Sequence, residues 1–169
     1  EAGGLSSPSV LVEADSIKLY YAAQSQEEGP RVIAGGEILS DSFERWGVLL
    51  SPSTGCTDSS GNSLSCWNEI EIGSPEVKVA QSGTGRTLYR MFFSGTDSND
   101  KSVGFAASFD GRDFEIYEYN PVLSYEAQHV SNIRVGDSYL MYYVPAKSTL
   151  GADEIRLSIN ERGNATETF

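Results

Sequence analysis

The sequence predicts an all-β fold, a partial β-propeller of about three four-stranded antiparallel blades. Three observations predict it. Helix signals are nearly absent across the 169 residues. The segment Ser74–Glu118 reads as four short strands joined by turns within ~45 residues, the size of one propeller blade. The rest of the chain reads as two imperfect copies of that segment. Ser7-Pro8-Ser9-Val10 matches Ser74-Pro75-Glu76-Val77, and Leu19-Tyr20-Tyr21-Ala22 matches Met91-Phe92-Phe93-Ser94 and Met141-Tyr142-Tyr143-Val144. The interval from Pro8 to Ser40 differs by one residue from that between Pro75 and Ser108.

One domain, 1–169, is expected, with blades at about 7–50, 74–118 and 129–169. In the first blade Val10–Val12 is the inner strand and Ala14-Asp15-Ser16 the turn into Ile17–Ala23. Arg31–Leu39 is the third strand and Trp46–Leu50 the fourth, with Asp41–Arg45 the best candidate for a turn of helix. Residues 51–73 form a long excursion holding both cysteines. In the second blade Val77 and Val79 alternate with polar residues, as in a half-buried strand. Leu88–Ser94 is an aromatic-rich strand, Ser102–Ser108 a third, and Asp110-Gly111 a hairpin turn into Asp113–Tyr117. In the third blade Val130–Val135, Ser138–Val144 and Glu154–Ile159 are strands, and Phe169 stands where the first two blades carry Trp46 and Phe114. In each aromatic pair, alternation sends one ring to each face of the sheet, so core packing is the better reading than sugar stacking.

Net charge is −12 with a pI near 4.4. That argues against nucleic acid, which requires a basic footprint, and no apolar run reaches the ~18 residues of a membrane span. Cys56 and Cys66 flank a Ser/Gly/Asn-rich loop without a strand pattern. A disulfide is the simplest way to order it, and two buried thiols are the alternative. A disulfide implies a secreted, endomembrane, periplasmic or organelle-lumen setting. Asn164-Ala165-Thr166 is a glycosylation sequon. Four zinc ligands are not in evidence, the one histidine, His129, being far from the cysteines. No cofactor motif appears. The chain opens at Glu1 without an initiator Met, as a processed or trimmed product would.

The inner S-P-x-V strands, the L-Y-Y-A and M-F-F-S-G second strands, the Ser108-Phe109-Asp110-Gly111 turn and Asn120-Pro121-Val122-Leu123 together have a recognisable look. The chain resembles the five-bladed propellers of the arabinanase and β-xylosidase glycoside hydrolases and their invertase and levansucrase relatives, over about three blades. The resemblance implies three carboxylates at the mouth of a central funnel, because glycoside hydrolysis sets a raised-pKa acid against a second carboxylate. It implies an Asp just before the Pro of each inner strand. Here Ser7 and Ser74 occupy that position, with Val130 matched in the third blade.

Other acids could stand in: Glu76 follows Pro75, Glu71 lies four residues before it, and Glu126 precedes the third inner strand. Each also reads as a solvated loop or strand residue. Trp67, on the cysteine loop, Trp46 and His129 are the candidate binding residues. Three blades leave two sheet faces open, so missing blades, a protein partner or a second copy should cover them. The expected function is a non-catalytic glycosidase-like binding or interaction module, an accessory subunit docked on a larger assembly, with a glycan as a candidate ligand. The alternative is a hydrolase of arabino-, xylo- or fructo-oligosaccharides.

Overall fold

The computed structural model describes residues 4–24, 29–57, 60–98, 100–124, 127–135, 138–145 and 155–161. Glu126, Asn164 and Phe169 lie outside them. Every regular element described is a strand. The first sheet contains β1 (Leu5–Val12), β2 (Ile17–Gln24), β3 (Arg31–Leu39) and β4 (Ser42–Leu50), paired in chain order. A two-residue hairpin follows, β5 (Cys56–Thr57) with β6 (Ser63–Leu64). The second sheet contains β7 (Glu71–Gln81), β8 (Thr87–Thr96), β9 (Lys101–Ser108) and β10 (Glu115–Ile116). The third has β11 (Ala127–Val135), β12 (Ser138–Pro145) and β13 (Arg156–Glu161) among the described residues. This is an all-β, partial propeller arrangement of antiparallel meanders.

The sheets stack through two apolar layers, and strand alternation builds both. Ser9 pairs with Tyr20, Glu76 with Phe92 and Ser131 with Tyr142, so these positions are equivalent in the three sheets. Tyr20 packs into the layer between the first and second sheets, with Ile33, Met91 and Phe93. Phe92 lies in the layer between the second and third, with Phe105, Val130 and Met141. Phe92 and Phe93, adjacent in sequence, thus face opposite layers, and both are buried. Each layer removes large aromatic area from water, the main stabilising contribution here.

Polar groups fix how the first two sheets meet. The Tyr20 hydroxyl donates to the Gly111 carbonyl at 3.0 Å. Gly111 needs to be glycine: its φ is +79°, and a β-carbon would come within 3.0 Å of that hydroxyl. The turn beneath it is closed by side chains. Ser108 Oγ accepts the Gly111 N–H at 2.9 Å, and Asp110 accepts the N–H groups of Arg112 and Asp113. The hydrogen bond from Ser108, then those from Arg112 and Asp113, hold the Asp110 carboxyl down at about 2. Nearby, buried Lys18 lies between Glu13 and Glu37, and Tyr89 donates to Glu13.

Two expectations are corrected. Asp41–Arg45 is not helical: Ser42 onward is strand, and the Phe43 ring lies over Gly36, where a β-carbon would meet it at 2.3 Å. The fourth strand of the second sheet is two residues long, not five. The chain is drawn off by Asn120, whose side chain accepts the Phe105 N–H and donates to the Phe105 carbonyl. Val122 and Leu123 then bond to Val103. The Asn-Pro-Val-Leu segment is a clasp on β9.

Candidate functional site at the inner-strand bulges

Each inner strand carries the same irregularity. The ladder slips between Ser6 and Ser9 in β1, Gly73 and Glu76 in β7, and Gln128 and Ser131 in β11. One residue in each bulge takes a left-handed conformation: Ser7 at φ 51°, Ser74 at 48° and His129 at 49°. For residues with a β-carbon this costs about 1–2 kcal/mol apiece, and bulges re-aim side chains. Here they aim three side chains at one another. Ser74 Oγ is 2.8 Å from His129 Nδ1 and 3.5 Å from Ser7 Oγ.

The third-sheet equivalent of Ser7 and Ser74 is therefore His129, and the match to Val130 is corrected by one residue. Val130 holds the proline position and is buried in the layer against the second sheet. The sequence marks His129 as a candidate but does not connect it with the two serines. The available signal is Ser131, which aligns with Ser9 and Glu76 once β11 is registered on β12.

The three groups form a proton-sharing chain. When Nδ1 carries the proton it donates to Ser74, which is then free to donate to Ser7; when it does not, the Ser74 proton turns to the imidazole. Ser7 and Ser74 are half-buried and His129 is exposed, so the cluster is open on one side. Hydroxyls and an imidazole can exchange hydrogen bonds with a polyhydroxylated ligand. They do not supply the facing pair of carboxyl groups that glycoside hydrolysis uses.

Of the candidate substitute acids, Glu76 and Glu71 are engaged elsewhere. Glu76 bridges to the third sheet: its carboxylate accepts the Asn132 backbone N–H at 2.9 and 3.1 Å and the Asn132 side-chain amide, and pairs with Lys78 at 2.9 Å. Ser9 does the same one sheet earlier, its hydroxyl accepting the Val77 N–H at 3.0 Å. Glu76 is thus a staple between sheets. Glu71, at the start of β7, accepts from Thr96 Oγ1 at 3.4 Å.

Both tryptophans are half-buried and make packing contacts. Trp67 lies over Gly95 and Gly104, where a β-carbon would approach its ring to 2.3 Å, and it packs on Phe93 with centroids 5.6 Å apart. Trp46 sits edge-on to Tyr20 under the Arg112 guanidinium, 4.5 Å from the ring centroid. It lines a cavity of about 510 Å³ with Leu49, Phe114, Arg112 and Asp113, out on the edge strands. Cys56 and Cys66 are joined as a disulfide, Cα atoms 5.4 Å apart. Among the described residues no group of three or more His, Cys, Asp or Glu is placed to hold a metal ion. Among them, too, no helix is long and apolar enough to cross a membrane.

No family model matches the chain, and no curated protein does. Solved structures do. A family 117 glycoside hydrolase, Zg3597 of the marine bacterium Zobellia galactanivorans, superposes with a TM-score of 0.71 at 9% identity, over 95% of this chain and 53% of its own. The chain has the fold of the glycoside hydrolase β-propellers. The structure of a BT0996 RGII complex matches at a TM-score of 0.67 and 16% identity, over 94% of this chain and 53% of the matched protein. The family 32 β-fructofuranosidase BmSUC1 of Bombyx mori matches at 0.63 and 18%, over 94% of this chain and 33% of its own. The chain spans about half the length of the first two.

Proposed function

We propose that the chain is a non-catalytic, glycosidase-like propeller segment that binds a neutral glycan at its centre and docks on further protein through its open faces. The observation that carries this reading is the set Ser7, Ser74 and His129 at the three inner-strand bulges. The resemblance implies carboxylates at the Ser7 and Ser74 positions, and the corrected register adds His129 to them. A hydroxyl cannot serve as an ionised base at neutral pH, nor as a carboxylic acid with a raised pKa. Glu76 and Glu71, the remaining acids on an inner strand near the bulges, are held by Asn132, Lys78 and Thr96. The disulfide and the glycosidase-like fold fit an oxidising compartment, outside the cell or in an organelle lumen.

The test is incubation of the protein with arabino-, xylo- and fructo-oligosaccharides, scoring new reducing ends beside binding by calorimetry. Binding without turnover, weakened at least tenfold in Ser74→Ala, is the expected result. Turnover abolished by Glu76→Gln or Glu71→Gln would establish the hydrolase reading instead.

A further inference from the structure

The two outermost sheet faces are equipped differently, and each is equipped like a buried face inside the molecule. Between the first and second sheets, the forward-looking face offers Tyr20 and, opposite it, Ser9, which accepts the Val77 N–H. Between the second and third, the forward face offers Phe92 and, opposite it, Glu76, which accepts the Asn132 N–H. Val77 and Asn132 are themselves equivalent, paired with Met91 and Met141. The third sheet repeats the set with nothing against it among the described residues. Tyr142 is 42% exposed where Tyr20 and Phe92 are buried, and Leu157 and Ile159 beside it are 46% and 55% exposed. Ser131 stands opposite Tyr142, exposed, its hydroxyl turned back to Glu76 at 3.3 Å.

The first sheet carries the complementary set on its backward-looking face. Val10 is the equivalent of Val77 and Asn132 and pairs with Leu19, the equivalent of Met91 and Met141. Tyr21 is the equivalent of Phe93. Met91 and Phe93 are fully buried, whereas Val10 is 58% exposed and Leu19 and Tyr21 are only half-buried. The described sheets therefore present two unlike outer surfaces, one built to give and one to receive, of the kind that already meet twice within the stack.

We propose that the Tyr142 face of the third sheet takes the Val10 face of the first sheet of a second copy, in a head-to-tail contact that continues the stack. This rests on the reading above that the open faces dock on protein, and it names the occupant. The contact is heterologous, since one patch meets a different patch. It repeats the internal geometry: Tyr142 packs on Leu19 and Tyr21 of the neighbour, and Ser131 Oγ turns to accept the neighbour's Val10 N–H.

The heterologous geometry gives a decisive experiment. Tyr142→Arg spoils the giving face and Val10→Arg the receiving face. Both side chains are substantially exposed, and near-UV circular dichroism checks that each variant folds; Ile159→Lys is the second giving-face variant. Wild-type protein should show, by sedimentation velocity, a concentration-dependent mass above the 18.3 kDa of one chain. Each variant alone should self-associate at least tenfold more weakly. Mixed in equal amounts, Tyr142→Arg and Val10→Arg should form a one-to-one dimer, because each retains the face the other has lost. A wild-type chain that stays monomeric at all concentrations overturns the proposal, and so does failure of the two folded variants to pair. Glycan binding by the monomeric variants is scored separately, so loss of association and loss of the central site are told apart.

Discussion

Gly104→Ala should separate packing from ligand contact at Trp67. Gly104 lies on β9, and the added β-carbon would fall 2.3 Å from Trp67 Cη2, 2.7 Å from Cζ2 and 2.9 Å from Phe93 Cζ. The backbone there does not require glycine, so the whole cost is steric. Trp67 has little room to give, for the same ring covers Gly95 at 2.3 Å and its neighbour Cys66 is tied to Cys56. The ring must leave its seat or the sheet must shift. Overpacking of this kind costs about 2–3 kcal/mol, which in a chain of this size lowers Tm by roughly 4–12 °C. The assay is urea unfolding followed by circular dichroism and tryptophan fluorescence. In a Trp67→Leu background the added methyl should cost under ~1 kcal/mol, since the two sites are coupled through one contact. A cost below ~0.5 kcal/mol with unchanged fluorescence would mean that the ring is not held against β9 and is free to meet a ligand.

Three further outcomes follow from the polar contacts. Asp110→Asn should destabilise by about 1 kcal/mol at neutral pH, allowing for solvent screening of an exposed carboxylate. The Asp110 pKa is lowered, so its contribution is full above the ordinary value of 3.8 and lost as pH falls through about 2, where parent and variant unfolding midpoints should converge. Lys18→Met should cost about 2 kcal/mol at pH 7 in urea unfolding, because it leaves Glu13 and Glu37 facing each other without their shared cation. Burial works against charge on Glu13, but hydrogen bonds from Lys18 and Tyr89 outweigh it and hold its pKa below 4.5, so acid should erode the stability of the parent as these carboxylates protonate. Glu76→Gln should destabilise by about 1–2 kcal/mol through its contacts with Asn132 and Lys78 while leaving glycan binding within about twofold. A tenfold loss of binding in that variant would place Glu76 in the ligand site.

Much of the fold is readable because the repeat is carried by residues that do local work. The Ser-Pro pairs mark the bulges, and the aromatic doublets mark second strands whose alternation divides them between two layers. Asp110-Gly111 reads as a turn because its chemistry is confined to a few adjacent residues. What sequence misses is what depends on register or on distant partners. His129-Val130 has neither the serine nor the proline of its counterparts. The interval from His129 to Tyr142 equals that from Ser7 to Tyr20 but not that from Ser74 to Phe92, so counting from the second sheet misses the match. Pairing of β11 with β12 settles it. The meeting of Ser7, Ser74 and His129 spans three sheets, and no local spacing encodes it. Trp67 reads as an exposed loop residue because nothing nearby in sequence says that two glycines on β8 and β9 make room for its ring.

The proposed glycan site is the set of residues at the three bulges, Ser7, Ser74 and His129, none of which carries a carboxylate. His129 is the single histidine of the chain, so its imidazole gives one isolated set of NMR signals. The measurement is a titration of those signals with arabino-, xylo- and fructo-oligosaccharides, with the same samples monitored for released sugar. A carboxylate-free binding site gives a saturable shift with at least one of them, absent in Ser74→Ala, with the oligosaccharide intact at the end. Signals that ignore every sugar, or a shift accompanied by steady hydrolysis, would contradict it.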